Sequence, residues 1–206
     1  MRTRLQRAPA GGERGVTMIE VLVSIVILAF GLLGVAGLQA QIKLAEVEAY
    51  QRAQAVVLLQ DMVDRINANR RNSMDYVTAT PNPAGTGNAE GNCAGLTGAA
   101  LDLCDWNNAL LGVSETSGGA RVGAMIGGRG CITNTVAAMP REFVVAVVWQ
   151  GNTRTLAPLS TTCGDGLYGN AQMRRAMVAR VMIGCLQNDP TTGQCVVCNP
   201  VTGVCV

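Results

Sequence analysis

The feature that most limits what this chain can become is an apolar run from Val21 to Leu38, entered through Glu20, in which Ser24 is the only clearly polar residue. As a helix with about 1.5 Å of rise per residue, the run covers roughly 27 Å, enough to cross the hydrocarbon core of a bilayer. The segment before it is short and cationic, with Arg2, Arg4, Arg7 and Arg14 against the single acid Glu13. That is how a cytoplasmic flank reads under the positive-inside rule. Glu20 is the odd residue. An ionised carboxylate beside such a run costs several kcal/mol unless a partner neutralises it, so a partner must be supplied.

An ordinary secretory signal is cut after its apolar region and loses it. Here the small residue comes earlier, in Gly15-Val16-Thr17-Met18-Ile19-Glu20. This hexapeptide resembles the type IV prepilin signature, a glycine and a hydrophobic residue followed by T-L-I-E. The family usually has Phe where Val16 stands and Leu where Met18 stands, and both changes keep apolar character. The resemblance implies that a prepilin peptidase cuts between Gly15 and Val16, that Val16 is N-methylated and that the apolar run is retained. It also implies that Glu20 pairs with the amino terminus of a neighbouring subunit. A single polar group buried among apolar helices is a known way of setting register. The competing reading of the residues is a plain signal anchor whose Glu20 snorkels to the interface.

Removing residues 1–15 from the 206 leaves 191, which suits one membrane-anchored domain with one core. The removed segment holds four Arg and one Glu, so the formal charge of +2 becomes about −1 in the remainder. Charge therefore offers no general argument for nucleic acid, although Arg174-Arg175 is a small patch that could meet DNA. There is no histidine, which excludes Ser-His-Asp and Cys-His catalysis and every histidine-containing zinc site. Eight cysteines behind an export signal favour disulfides in an oxidising compartment. Aromatic residues make up only 3%, so the core must be aliphatic and rich in methionine.

Beyond the apolar run, Gln39 to Asn72 lacks proline and places Val56, Leu59, Val63 and Ile66 on one helical face. A continuous helix from about Thr17 to about Asn72 is expected, apolar all round in its first half and amphipathic in its second. Gly31, Gly34 and Gly37 interrupt the apolar half. They serve either as the place where the helix bends or as a surface for close helix packing. Major pilins usually have proline at the position matching Gly37, so no proline kink is expected here. Asn72 to Glu90, with Pro81, Pro83, Gly85 and Gly87, reads as surface loop. Leu101 to Leu111 returns to helical spacing through Leu103, Trp106 and Leu110, with Asp102 or Asp105 as a possible cap. This segment resembles the D-L…W…L element of PilV-type minor pilins, and a short core helix held by Trp106 is compatible with that resemblance.

Val122 to Ile126 reads as either an edge strand or loop. Glu142 to Gln150 is apolar and β-branched, the pattern of a strand covered by helix on one face and shielded on the other. Gly151-Asn152 is a turn signal, after which Thr153 to Leu156 could return as a hairpin partner. Arg174 to Ile183 follows as a central or near-central strand, with Met177, Ala179, Val181 and Ile183 on one face and Arg180 on the other.

The tail repeats a unit: a cysteine, an Asn/Pro-Thr-Gly turn and a second cysteine, first from Cys185 to Cys195 and then from Cys198 to Cys205. Proline and glycine let each unit fold back, which predicts Cys185–Cys195 and Cys198–Cys205 disulfides. Cys93 with Cys104 then closes the loop before the short helix, and Cys131 with Cys163 ties the strand region. Cys195-Val-Val-Cys198 has redox spacing but lacks a following helix, and zinc bound by the four tail cysteines is the chemical alternative to oxidation. Asp165, in Cys163-Gly-Asp-Gly, reads as a turn rather than a calcium ligand, and Met173 to Met182 as core rather than a binding surface. No catalytic residue and no cofactor is expected.

The resemblance follows Gly15 to about Gln39 closely and Leu101 to Ile183 more loosely, and it does not extend to the tail. It implies an α+β pilin fold, in which a long amino-terminal helix packs on an antiparallel sheet of about four strands, here with a disulfide-rich C-terminal tail. The implied division is residues 1–15 as a removed leader, 16–40 as the membrane and assembly half of the helix, and 41–206 as a periplasmic head. The implied protein is a minor type IV pilin of a Gram-negative bacterium, first in the inner membrane and then in the pilus. Its implied partners are other major and minor pilins and the prepilin peptidase, and its implied roles are priming, twitching motility, attachment or DNA uptake. A minor pseudopilin of type II secretion shares the signature, and a signal-anchored periplasmic binding module is the rival from another class.

Overall fold

In the computed structural model, which describes residues 15–78, 83–113, 115–121, 124–138 and 140–185, the sheet is built around β5 (Arg141–Gln150). Its side chains alternate between two cores. Phe143, Val145, Val147 and Trp149 enter the larger one, while Ala146 and Val148 enter the smaller one on the opposite face. A strand buried on both sides loses the usual polar alternation, which is why E-F-V-V-A-V-V-W-Q is apolar nearly throughout. The sheet order is β1-β4-β5-β6, with β1 Ala84–Gly85, β4 Arg129–Val136 and β6 Arg174–Ile183, and every pairing is antiparallel. The long amino-terminal helix and the four-stranded sheet are those of an α+β, pilin-like fold.

The chain forms two compact units, residues 1–45 and 46–206, and α1 (Met18–Ala68) contributes to both. In the first unit α1 is exposed along all of its length. In the second, Ala55, Leu58, Leu59, Met62 and Ile66 are buried in the larger core. The expected face therefore shifts. Val56 is exposed and Val63 only half-buried, because Ala55 and Met62 continue the 3.6-residue stripe that the valines suggested. α1 also ends earlier than Asn72, and a 3-10 segment Arg70–Tyr76 follows that buries Tyr76.

Several other expectations change. The stretch Asn72 to Glu90 is not all surface loop, since it holds the buried Tyr76 and strand β1. α2 runs Gly98–Leu110, so Asp102 and Asp105 lie inside it instead of capping it, and the N-cap position is Thr97. Thr116–Ser117 (β2) and Ala120–Arg121 (β3) form a small hairpin, and Ala124 to Ile126 are not strand. Thr153 to Leu156 do not pair with β5. Its partner across ten rungs is β6, and residues 151–170 are irregular. β6 stands at the end of the sheet among the described residues instead of near its centre, although Met177, Ala179, Val181 and Ile183 share the helix-facing side as expected.

Trp106 sets the distance between α2 and the sheet. Its indole Nε1 donates to the Leu58 carbonyl of α1 at 2.9 Å, and its ring lies over Gly130 of β4. A Cβ at Gly130 would come within 2.2 Å of that ring, so the close approach requires glycine. The opposite face of the sheet is covered by the loop carrying Cys163 and Tyr168, which packs on Cys131, Ala146 and Val148.

Candidate assembly site

The candidate site is the start of α1. Gly15, Val16 and Thr17 precede the helix and are exposed, so the peptide bond between Gly15 and Val16 lies in non-helical, accessible chain. The Thr17 carbonyl accepts from the Glu20 and Val21 amides at 3.1 and 3.3 Å, and this opens the first turn. Glu20 sits in that turn, where the positive end of the helix dipole favours a carboxylate. Its side chain has no hydrogen-bond or ion-pair partner among the described residues. Four residues on, the Ser24 hydroxyl donates to the Glu20 carbonyl at 2.7 Å, so the one polar side chain of the apolar run is satisfied within the helix.

From Val21 to Leu38 the large apolar side chains are exposed, and α1 is long and apolar enough to cross a membrane. So large an apolar surface is stable only against lipid or other apolar helices. A Cβ at Gly31, Gly34 or Gly37 would meet nothing within 4 Å, so packing inside the chain does not require glycine at these positions. The helix continues unbroken through all three.

The head gathers polar groups that serve structure. Arg65 binds Asp61 at 2.9 Å and Asp102 at 2.8 Å, with Asp105 at 3.7 Å. Tyr76 donates to Asp102, and burial, followed by that hydrogen bond, pushes its hydroxyl up to about 12. Only the Asp61–Arg65 spacing of this cluster could be read as an i,i+4 pair in sequence. Arg174 and Arg175 do not form the small basic patch that their adjacency suggests. Arg174 is 4% exposed and donates to the carbonyls of Thr161 and Cys163, and Arg175 pairs with Glu48 at 2.7 Å, so neither is a free cation facing phosphate. The Met173 to Met182 stretch is divided, with Met177 packed against the core and Met182 exposed.

Cys93 is bonded to Cys104 and Cys131 to Cys163. Cys185 is also in a disulfide. Cys195, Cys198 and Cys205 lie outside the described residues, and so does the expected tail connectivity. Asp165 lies 3.6 Å from Arg174, in a turn closed by its own amide on the Thr162 carbonyl. Among the described residues no group of three or more His, Cys, Asp or Glu side chains is placed to hold a metal ion.

An exposed apolar helix opened by one acid, joined in sequence to a head of helix on antiparallel sheet, defines a pilin-like architecture. Comparison with protein families finds two matches. Residues 11–36 match the prokaryotic N-terminal methylation motif, and residues 37–107 match the model described as Type IV pilin Tt1218. The two matches adjoin and together cover residues 11–107, a methylation motif followed by likeness to a type IV pilin, and the helix they share is long and apolar enough to cross a membrane. No curated protein and no solved structure matches it.

Proposed function

We propose that this chain is a minor, PilV-like type IV pilin that takes part in assembling or priming a pilus, and so supports twitching motility, attachment or DNA uptake in a Gram-negative cell. The observation that carries the reading is Glu20 at the head of an exposed apolar helix, within a matched methylation motif. In this reading residues 1–15 are a leader removed by a prepilin peptidase, residues 16–40 hold the protein in the inner membrane, and residues 41–206 form a periplasmic head. On assembly the helix exchanges lipid for the helices of neighbouring major and minor pilins. Glu20 is then neutralised by the Val16 amine of a neighbour, and a helix inserted out of register leaves that carboxylate buried and unpaired, a loss of several kcal/mol. Open space at Gly31, Gly34 and Gly37 supports either bending of the helix on extraction or close approach by a second one. The α2 segment around Trp106 is where the likeness to PilV-type minor pilins lies.

Mass spectrometry of the native protein should find its amino terminus at Val16, methylated. Glu20→Ala should leave the protein in the membrane while removing it from sheared fibres. A terminus at Met1 or beyond Leu38 would sink the prepilin reading, and pilus phenotypes left unchanged by Glu20→Ala argue for the plain anchor.

A further inference from the structure

Among the described residues β6 ends the sheet, and no described strand pairs with its outer edge. The groups on that edge follow from the ladder. The Gly151 amide donates to the Met173 carbonyl at 2.8 Å, one rung beyond Gln150 and Arg174, so by antiparallel alternation the odd-numbered residues of β6 exchange hydrogen bonds with β5. The even-numbered residues turn their amides and carbonyls outward. The Ala171 carbonyl takes the Arg174 amide, which leaves Ala176, Val178, Arg180 and Met182 facing the edge. A long apolar edge is a template for another strand unless charge or cover blocks it. Arg175 and Arg180 place charge along most of this one, and the Arg180 side chain is 72% exposed. From Val181 to Ile183 there is none.

The disulfides say what returns to that end. Cys185, two residues past β6, is in a disulfide. Cys93, Cys104, Cys131 and Cys163 are bonded to one another in pairs, and the chain has eight cysteines, so the partner of Cys185 is Cys195, Cys198 or Cys205. The chain must therefore double back to the end of β6. Bonding to Cys195 keeps the turn formers Asn188, Asp189, Pro190 and Gly193 in the connection and lays Val197 beside Ile183. Bonding to Cys198 would spend both valines in the connection and set Pro200 against Ile183, and bonding to Cys205 would leave only Val206 beyond it. In the first register Met182 meets Cys198 and Gly184 meets Val196, at the positions whose outward groups need partners. Cys185 and Cys195 then stand at a non-hydrogen-bonded site, where side chains on adjacent strands come closest. Pro200, opposite Arg180, has no amide to donate, so the pairing stops before it.

We propose that residues 195–199 return antiparallel to residues 181–185 as a further strand, locked by Cys185–Cys195, so that the chain's own tail closes the uncharged end of the β6 edge against strand addition by another chain. The strand forms within one molecule and requires no pilin partner. Non-reducing peptide mapping of the full-length protein should join Cys185 to Cys195. Residue-resolved hydrogen exchange of the same protein in detergent should find the Met182 and Gly184 amides protected at least about tenfold more than those of Ala176 and Val178, which lie beyond the reach of the tail. Residues paired across two strands share a face, so Val197 joins the side on which Ile183 is buried and Val196 the side on which Met182 is exposed. Val197→Asp should therefore speed exchange at Met182 about tenfold, and Val196→Asp by less than about twofold. Linkage of Cys185 to Cys198 or Cys205, protection at Met182 and Gly184 no greater than at Ala176, or equal effects of the two substitutions overturns the strand.

Discussion

Replacing Gly130 by alanine probes the tightest contact in the head. The new Cβ would lie 2.2 Å from one carbon of the Trp106 ring and 2.6 Å from two others, so something must move. Neither partner yields at small cost. β4 is laddered to β5 through Gly130 and Val147, and Trp106 is fully buried with its indole on the Leu58 carbonyl. Overpacking of this kind costs about 1–3 kcal/mol. Shifting the ring far enough to lose the indole hydrogen bond strands a buried donor, for about 1–3 kcal/mol more. The expected loss is about 4 kcal/mol, or roughly 8–16 °C in Tm for a domain of this size. Urea and thermal unfolding of the full-length protein in detergent, followed by circular dichroism, measures it. Gly184→Ala, where a Cβ meets nothing within 4 Å, is the control expected to change little. Trp106→Leu removes the ring, and in that background Gly130→Ala should cost less than about 1 kcal/mol, a strong coupling between the two sites. A Gly130→Ala protein within about 0.5 kcal/mol of wild type, or an equal cost in both backgrounds, would refute the packing argument.

Tyr76 gives a prediction in alkali. Its hydroxyl titrates near 12 in the folded protein against 10.0 for the ordinary group, because burial and the hydrogen bond to Asp102 favour the neutral form. Its contribution is therefore fully present below pH 10 and declines as pH rises toward 12, by at most about 3 kcal/mol. Urea unfolding across that range should show a steeper decline for wild type than for Tyr76→Phe, and parallel profiles would contradict the assignment. The disulfides give an ordering. Closing separations of 32 and 11 residues is worth about 3.7 and about 2.8 kcal/mol by chain entropy. Cys131→Ser with Cys163→Ser should therefore destabilise more than Cys93→Ser with Cys104→Ser, and the reverse order would show that loop closure is not the governing term.

Where a residue's role depends on its immediate neighbours, it could be read from the chain. The apolar run Val21 to Leu38 lies in a helix long and apolar enough to cross a membrane. β5 shows burial on both faces, and α2 shows the spacing that seats Trp106 and Leu110 in the core. β6 alternates as its two faces require. These signals survive because periodicity records how a segment divides core from water, whatever it packs against. Partner choice has no such record. β4 carries Thr133, Asn134 and Thr135 and lacks a clear apolar alternation, yet it is a strand because β5 offers it a ladder from Arg129 to Val136. Asp102 suggests a helix cap from sequence, whereas folding brings it to Arg65 and Tyr76, 37 and 26 residues away. Arg174-Arg175 suggests a basic surface, whereas the loop carbonyls and Glu48 take up both charges. Contacts distant in the chain decided these roles, because an ion pair or hydrogen bond removed from water outweighs the few tenths of a kcal/mol in a local preference.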